Sequence, residues 1–204
     1  VKGKSGDLLT IQPPIIPEVD SANTYVTPSH FLNSSPLVGI ESLYVDATNG
    51  APQNGISLSG TYGTWIKDVR VKNTKNYNVF IGEVLNCQLQ KNYIDVLNHP
   101  ANQPSGGALL MDASTGCLME DNIIVPGGAA TTLFSHGNIG NVFAYNFTAT
   151  SNMNTNHGAQ NSFNLYEGNI ADSIISDGYY GGESEPTWFR NWIAGRTTDA
   201  ITGN

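Results

Sequence analysis

The apolar positions of this chain fall into short phrases that repeat. GTWIKDV, CQLQKNY, CLMEDNI, NVFAYNF, NLYEGNI and TWFRNWI align on Asp68, Asn92, Asn122, Asn146, Asn169 and Asn191, anchors that lie 24, 30, 24, 23 and 22 residues apart. Three places before the anchors stand Trp65, Leu89, Met119, Phe143, Tyr166 and Trp188, and one place after them stand Val69, Tyr93, Ile123, Phe147, Ile170 and Trp192. The column just before the anchor, Lys67, Lys91, Asp121, Tyr145, Gly168 and Arg190, is mostly polar. Strand side chains alternate between faces, so the change of phase at the anchor predicts a bend. Asn suits a bend because it tolerates a left-handed backbone and bonds its own chain locally. Stacked on equivalent residues above and below, its amide also bonds along the stack.

Self-similarity at 20–50 residues is the mark of a repeat architecture, in which each unit buries its apolar face only against its neighbours. Further strands are readable upstream of the anchors, at NGISLSG (54–60), NYNVFIG (76–82), GGALLMD (106–112) and TTLFSHG (131–137), and downstream at VRVKN, YIDVL and IIVPG. The expected fold is therefore all-β: a right-handed parallel β-helix, a single solenoid of about six to seven coils of 22–30 residues with an Asn ladder. No helical pattern separates the strands, as a doubly wound α/β fold requires, and this repeat is not what a sandwich produces. Residues 1–38, with GDLLTIQPPIIPEV, read as a strand and a lead-in that covers the first coil, and 39–204 as the β-helix. The opening at Val1 suggests a processed or partial product, and GRTTDAITGN ends within a turn with no visible cap.

Composition agrees. Charged residues make up 13% of the chain, about half of the usual ~25%, and Gly, Asn, Ser and Thr fill the gap with turn formers. The net charge of −8 on nine Lys and Arg excludes the basic patch of a nucleic-acid binder. No apolar run is long enough to span a membrane. Cys87 and Cys117 each lie five places before an anchor, which stacks them in adjacent coils as buried thiols or, with demanding geometry, a bridge.

At HGAQNSFNLYEGNI and TWFRNWIAGR the chain resembles the bacterial right-handed β-helix repeat proteins often termed pectate-lyase-like, over roughly residues 39–195. The resemblance implies an extracellular or cell-surface role with polysaccharide. The paired-Asp signature of the polygalacturonase type is absent.

Two groups of residues carry candidate chemistry. Asp112, His136, His157 and Asp177 close the second strand in successive coils, and two imidazoles between carboxylates suit acid–base work near neutral pH. Turn residues beside Gly and Ser are the plainer account of the same four. In SDGYYGGESEP and just before it, Asp172, Asp177, Glu183 and Glu185 offer oxygens for Ca²⁺, with Arg190 as base or carboxylate clamp and Tyr179 and Tyr180 as sugar-stacking subsites. A solvated acidic loop is the alternative. Two functions follow: a polysaccharide lyase or glycoside hydrolase, or a non-catalytic glycan-binding, tailspike or filament subunit that self-associates through a solenoid end.

Overall fold

A computed structural model describes residues 3–5, 8–10, 37–48, 52–95, 107–125, 130–195 and 201–203. Within them the chain is a parallel β-solenoid of about six turns, with no helix among the described residues. Each full coil contributes three strands. The first row runs Gly39–Glu41, Trp65–Lys67, Gln88–Gln90, Leu118–Glu120, Val142–Ala144, Leu165–Glu167 and Thr187–Phe189, paired in that order as a seven-stranded sheet. The second row begins Tyr44–Asp46, Arg70–Lys72, Tyr93–Asp95 and Ile123–Val125, and the third Asn54–Ser59, Tyr77–Gly82, Gly107–Asp112 and Ala130–Phe134. Phe147–Asn154 and Ile170–Ser176 are long enough to serve both rows, which fuses them into a twelve-stranded sheet. A register shift between Thr148 and Asn152 marks where the first long strand turns its corner.

The strands are short because the backbone bends three times per coil, and each bend uses the same device. A residue with positive φ precedes a buried residue that bonds along the stack. In GNIGNVFAYN (137–146) the bends fall at Gly137, Gly140 and Tyr145, and the buried partners are Asn138, Asn141 and Asn146. One coil later Gln160, Phe163 and Gly168 bend the chain ahead of Asn161, Asn164 and Asn169. Non-glycine residues pay for φ near +55° at several of these places, Lys91, Asp121 and Arg190 included, a strain of about 1–2 kcal/mol each. The hydrogen bonds of the next residue offset it. Asn122 receives 2.9–3.0 Å bonds from the amide and side chain of Asn92 on its Oδ1, and donates from Nδ2 to the Leu89 carbonyl and to Asn146 Oδ1.

The predicted ladder is thus present and continues through Asn146 and Asn169 to Asn191. Its first rung needs correction. The residue in register with Asn92 is Val69, whose amide donates to Asn92 Oδ1, whereas Asp68 occupies the bend position at φ 52°. Asp68 looked like an anchor because Asp and Asn share a taste for the left-handed region, and both roles sit side by side. The inward residue three places before is consequently Ile66 rather than Trp65, which faces out and donates to Glu41 Oε1 at 2.6 Å. Two further ladders run beside it, the first including the Cys87–Cys117 stack and Cys117–Asn141 column that the spacing predicted. One passes from Cys87 through Cys117 and Asn141 to Asn164, and the other from Val84 through Ser114 and Asn138 to Asn161.

The two thiols stack as expected, with the Cys87 amide donating to Cys117 Sγ at 3.3 Å, and both are unbridged and buried. The sulfur of Cys117 beside it, together with burial, holds the Cys87 thiol well above its ordinary range. The core fills by exchanging large for small. Where Phe143 and Tyr166 point inward from the first row, the second row offers Thr148 and Ala171. Phe134 closes the gap edge-on to both rings, with centroids 5.9 and 5.3 Å away. Tyr166 satisfies its buried hydroxyl on the Thr155 carbonyl at 3.3 Å.

Gly3–Ser5 and Leu8–Thr10 pair as a short antiparallel hairpin, two strands where the sequence suggested one. The rest of the predicted covering segment, 11–36, lies outside the described residues. Among the described residues no helix is long and apolar enough to cross a membrane.

Asn146→Ala removes the acceptor of the Asn122 amide and leaves the buried Met119 carbonyl without its side-chain donor. It is expected to cost about 2 kcal/mol or more, against well under that for Asn191→Ala on the half-buried last rung. Urea unfolding of the two variants checks the order.

Candidate functional site

The site is built where the third row ends and the chain turns. Asp112 closes Gly107–Asp112, immediately before the bend at Ala113. In the next coil Met111 pairs with Phe134, yet the Ala113 amide reaches the His136 carbonyl at 2.6 Å. Ser135 is therefore an extra residue, and such a bulge re-aims the side chain that follows it. The result places His136 over Asp112. The Asp112 carboxylate accepts the His136 amide at 2.9 Å and meets ring Nδ1 at 3.2 Å, while Ser135 Oγ lies 2.8 Å from the same nitrogen.

One coil further, His157 makes a matching pair. Its Nδ1 is 2.8 Å from Asp177 Oδ2. Asp177 is fixed from two other sides, by Asn154 Nδ2 at 2.5 Å and by the Tyr179 amide on Oδ1 at 2.8 Å. Burial alone would raise the Asp177 carboxyl, but hydrogen bonds from His157, the Tyr179 backbone and Asn154 outweigh it and hold it below the usual aspartate value. The turn at Gly178, φ 59°, brings both tyrosines back across the imidazoles. Tyr179 stacks on His157 at 5.3 Å and 15°. Tyr180 lies between the histidines, 5.6 Å from the His136 ring and 5.4 Å, edge to face, from His157. Their outer faces meet solvent, with Tyr179 72% and Tyr180 58% exposed.

Six of the predicted residues thus share one cluster: Asp112, His136, Tyr180, His157, Asp177 and Tyr179. Each imidazole presents Nδ1 to a carboxylate, and among the described residues none takes Nε2. Sequence reasoning missed Ser135 and Asn154, which position His136 and Asp177 and carry no periodic signal of their own.

Other predicted site residues lie elsewhere. Arg190 sits at a first-row bend, φ 54°, where its guanidinium pairs with Glu167, reaches the Tyr145 hydroxyl at 3.3 Å and covers the Phe189 ring. The Glu167 carboxylate raises the Arg190 value, and the guanidinium lowers that of Glu167. These partners all belong to the first-row corner, which is not the corner that holds the histidines.

The carboxylates proposed for Ca²⁺ do not converge either. Asp172 is fully buried within Ile170–Ser176, Asp177 is engaged by His157, and Glu185 forms a bend at φ 51°. Glu183 is in register with Asn161, taking a place in the third stack, and its Oε1 accepts from Thr155 at 3.2 Å. Burial raises the Glu183 carboxyl, opposed by hydrogen bonds from Ser176 and Thr155, and its Oε2 has no hydrogen-bond partner. Among the described residues no group of three or more His, Cys, Asp or Glu is arranged to hold a metal ion. The residues present therefore do not fit the calcium expectation.

Compared with known proteins, the chain matches no family model, no curated protein and no solved structure. The solenoid and its histidine–tyrosine corner stand on their own geometry.

The two shifted carboxyls predict opposite pH behaviour. The lowered Asp177 value gives stability that is complete above the ordinary 3.8 and is lost as pH falls through the folded value. Asp177→Asn should therefore lower Tm at pH 7 and lose that deficit in acid. Glu183 is raised, so its ionisation costs stability as pH climbs from the ordinary 4.5 through the folded value. Glu183→Gln should raise Tm at pH 7 and change little below the ordinary carboxyl range. Thermal melts from pH 3 to pH 8 decide both.

Proposed function

We propose that this chain acts on an extracellular polysaccharide by acid–base chemistry at the corner where Tyr180 bridges His136 and His157, as a pectate-lyase-like β-helix protein. The observation that carries the reading is the pairing of both imidazoles, through Nδ1, with carboxylates that fix the rings. A carboxylate behind a histidine sets its tautomer and stabilises the imidazolium that forms on proton uptake. Exposed tyrosine faces beside them suit the apolar faces of sugar rings, and phenol hydroxyls donate protons.

This set favours β-elimination over hydrolysis. In a uronate chain the base takes the proton α to the carboxylate, the double bond forms toward the adjacent carbon, and the bond from that carbon to the glycosidic oxygen breaks. The departing oxygen receives a proton from the acid. One imidazole serves as base, and Tyr180 or the second, protonated imidazole as acid; a charged imidazolium also offsets the repulsion between a uronate and a chain of net charge −8. Hydrolysis instead calls for two carboxyls acting on one bond, and here Asp112 and Asp177 are each engaged by a histidine.

A second reading, a non-catalytic glycan-binding or filament subunit, is favoured by the last described coil. There Trp188, in the inward column, is 37% exposed, and Phe189 and Trp192 lie open beside it. That surface suits association with another copy.

Incubation of the chain with uronate and neutral polysaccharides distinguishes the readings. A lyase yields new ultraviolet absorbance from an unsaturated product. That signal should survive chelator and fall about 10²-fold in His157→Ala. Reducing ends without absorbance would mean hydrolysis, and no product from any glycan would leave the binding reading.

A further inference from the structure

The second row carries an outward column that the acid–base corner does not use. Residue by residue it is Tyr44, Arg70, Tyr93, Ile123, Phe147, Ile170 and Trp192, each in direct register with the next. These are the residues just after the bend and its ladder position. The column faces away from the core: Tyr44, Phe147 and Trp192 are 51%, 41% and 68% exposed. Its aromatic members stand in alternate coils, at the first, third, fifth and seventh places. Arg70 and the two isoleucines fill the even places.

Two strand spacings of ~4.8 Å put successive aromatic rings about 10 Å apart. The column as a whole spans roughly 29 Å. A ribbon-like glycan whose rings are joined equatorially, with alternate pyranoses showing the same face, repeats over about that two-spacing distance. Laid along the solenoid axis, it would set every second ring on an aromatic platform, with Ile123 and Ile170 filling the apolar contact between.

Charge narrows the ligand further. No carboxylate lies in the column, although the chain carries seventeen acidic residues. Its one cation is already matched. Arg70 lies over the Tyr44 and Tyr93 rings at 5.4 and 4.9 Å and pairs with Asp95 at 3.4 Å. Beside it Lys72 is paired with Asp46 at 3.0 Å. The column thus offers no unmatched charge to a polyelectrolyte, and although Arg70 covers one side of the Tyr44 and Tyr93 rings, its outward apolar side chains at a fixed repeat, open at Phe147 and Trp192, match an uncharged sugar chain.

We infer that this column is a binding platform for a neutral, extended β-1,4-linked polysaccharide, separate from the histidine–tyrosine corner. It needs no activity at that corner. It would hold the protein on a fibrous glycan while the corner faces a different part of the same material.

The test is depletion of the full chain from solution by cellulose and chitin powders, with titration of cellohexaose followed by tyrosine and tryptophan fluorescence. Wild-type protein should bind both powders and cellohexaose but not amylose, whose α-links coil the chain. Phe147→Ala and Tyr93→Ala, both in the outward column, should each weaken binding about ten-fold. Ile123→Ala should change it less than three-fold, and circular dichroism should show all three folded. His157→Ala should bind as wild type, which separates this surface from the acid–base corner. Equal retention on amylose, no binding to any of these glycans, or undiminished affinity in Phe147→Ala and Tyr93→Ala would each overturn the proposal. So would a dimer that Trp192→Ala dissociates in a wild-type protein indifferent to cellohexaose, which would assign the column to self-association.

Discussion

A coil of this solenoid can close only if its backbone turns three times within a short length, and every turn strands an amide and a carbonyl in the interior. The stacked buried residue that follows each bend meets that demand. Where that residue is Asn or Ser its side-chain oxygen accepts the amide of the coil before, and in the Asn rungs its nitrogen returns a bond to that coil's backbone. An unpaired buried amide costs about 1–3 kcal/mol, so one mismatched rung damages two coils. That cooperativity along the axis keeps the coils in register, and the register gives each surface column its meaning.

Both surface features follow from it. At the third-row corner, Asp112 is placed by the strand and His136 by one inserted residue, so the bulge converts a plain turn into a carboxylate–imidazole pair. His157 and Asp177 repeat the chemistry with different parts: a longer turn, an Asn from the strand below and a backbone amide. On the second row no such adjustment occurs. The outward column stays in perfect register, and its side chains are as evenly spaced as the strands beneath them. An irregular corner suits the convergence of different groups on one bond; a regular face suits a ligand that is itself a repeat.

Legibility in the sequence tracked regularity. The inward columns and the main ladder could be read because apolar residues and Asn recur at one offset in coil after coil. The phase slipped at Asp68 because a bend residue and a ladder residue are neighbours with similar preferences, and only the hydrogen bond to Val69 tells them apart. The Cys87–Cys117–Asn141 column was legible from its offset to the anchors, but the ladder from Val84 through Ser114 to Asn138 was hidden by its mixed composition, since any small or polar group that accepts or tolerates the neighbouring amide fits. The Asp112–His136 stack followed from equal offsets to Cys117 and Asn141, but the ring contacts of Tyr180 with both histidines had no counterpart in spacing.

What the sequence determined by itself was the repeat: an all-β chain, short parallel strands, a ladder of buried amides and the columns that face in. These depend on interactions between residues at matching places in successive coils, so periodicity records them. The tertiary structure decided which polar residues meet at irregular turns. It drew Asp177 to His157, sent Arg190 to Glu167 at another corner and dispersed the carboxylates expected to gather around calcium. The reason is that a turn of variable length has no fixed offset; where its side chains point is settled by the backbone path and by the neighbours that path happens to reach.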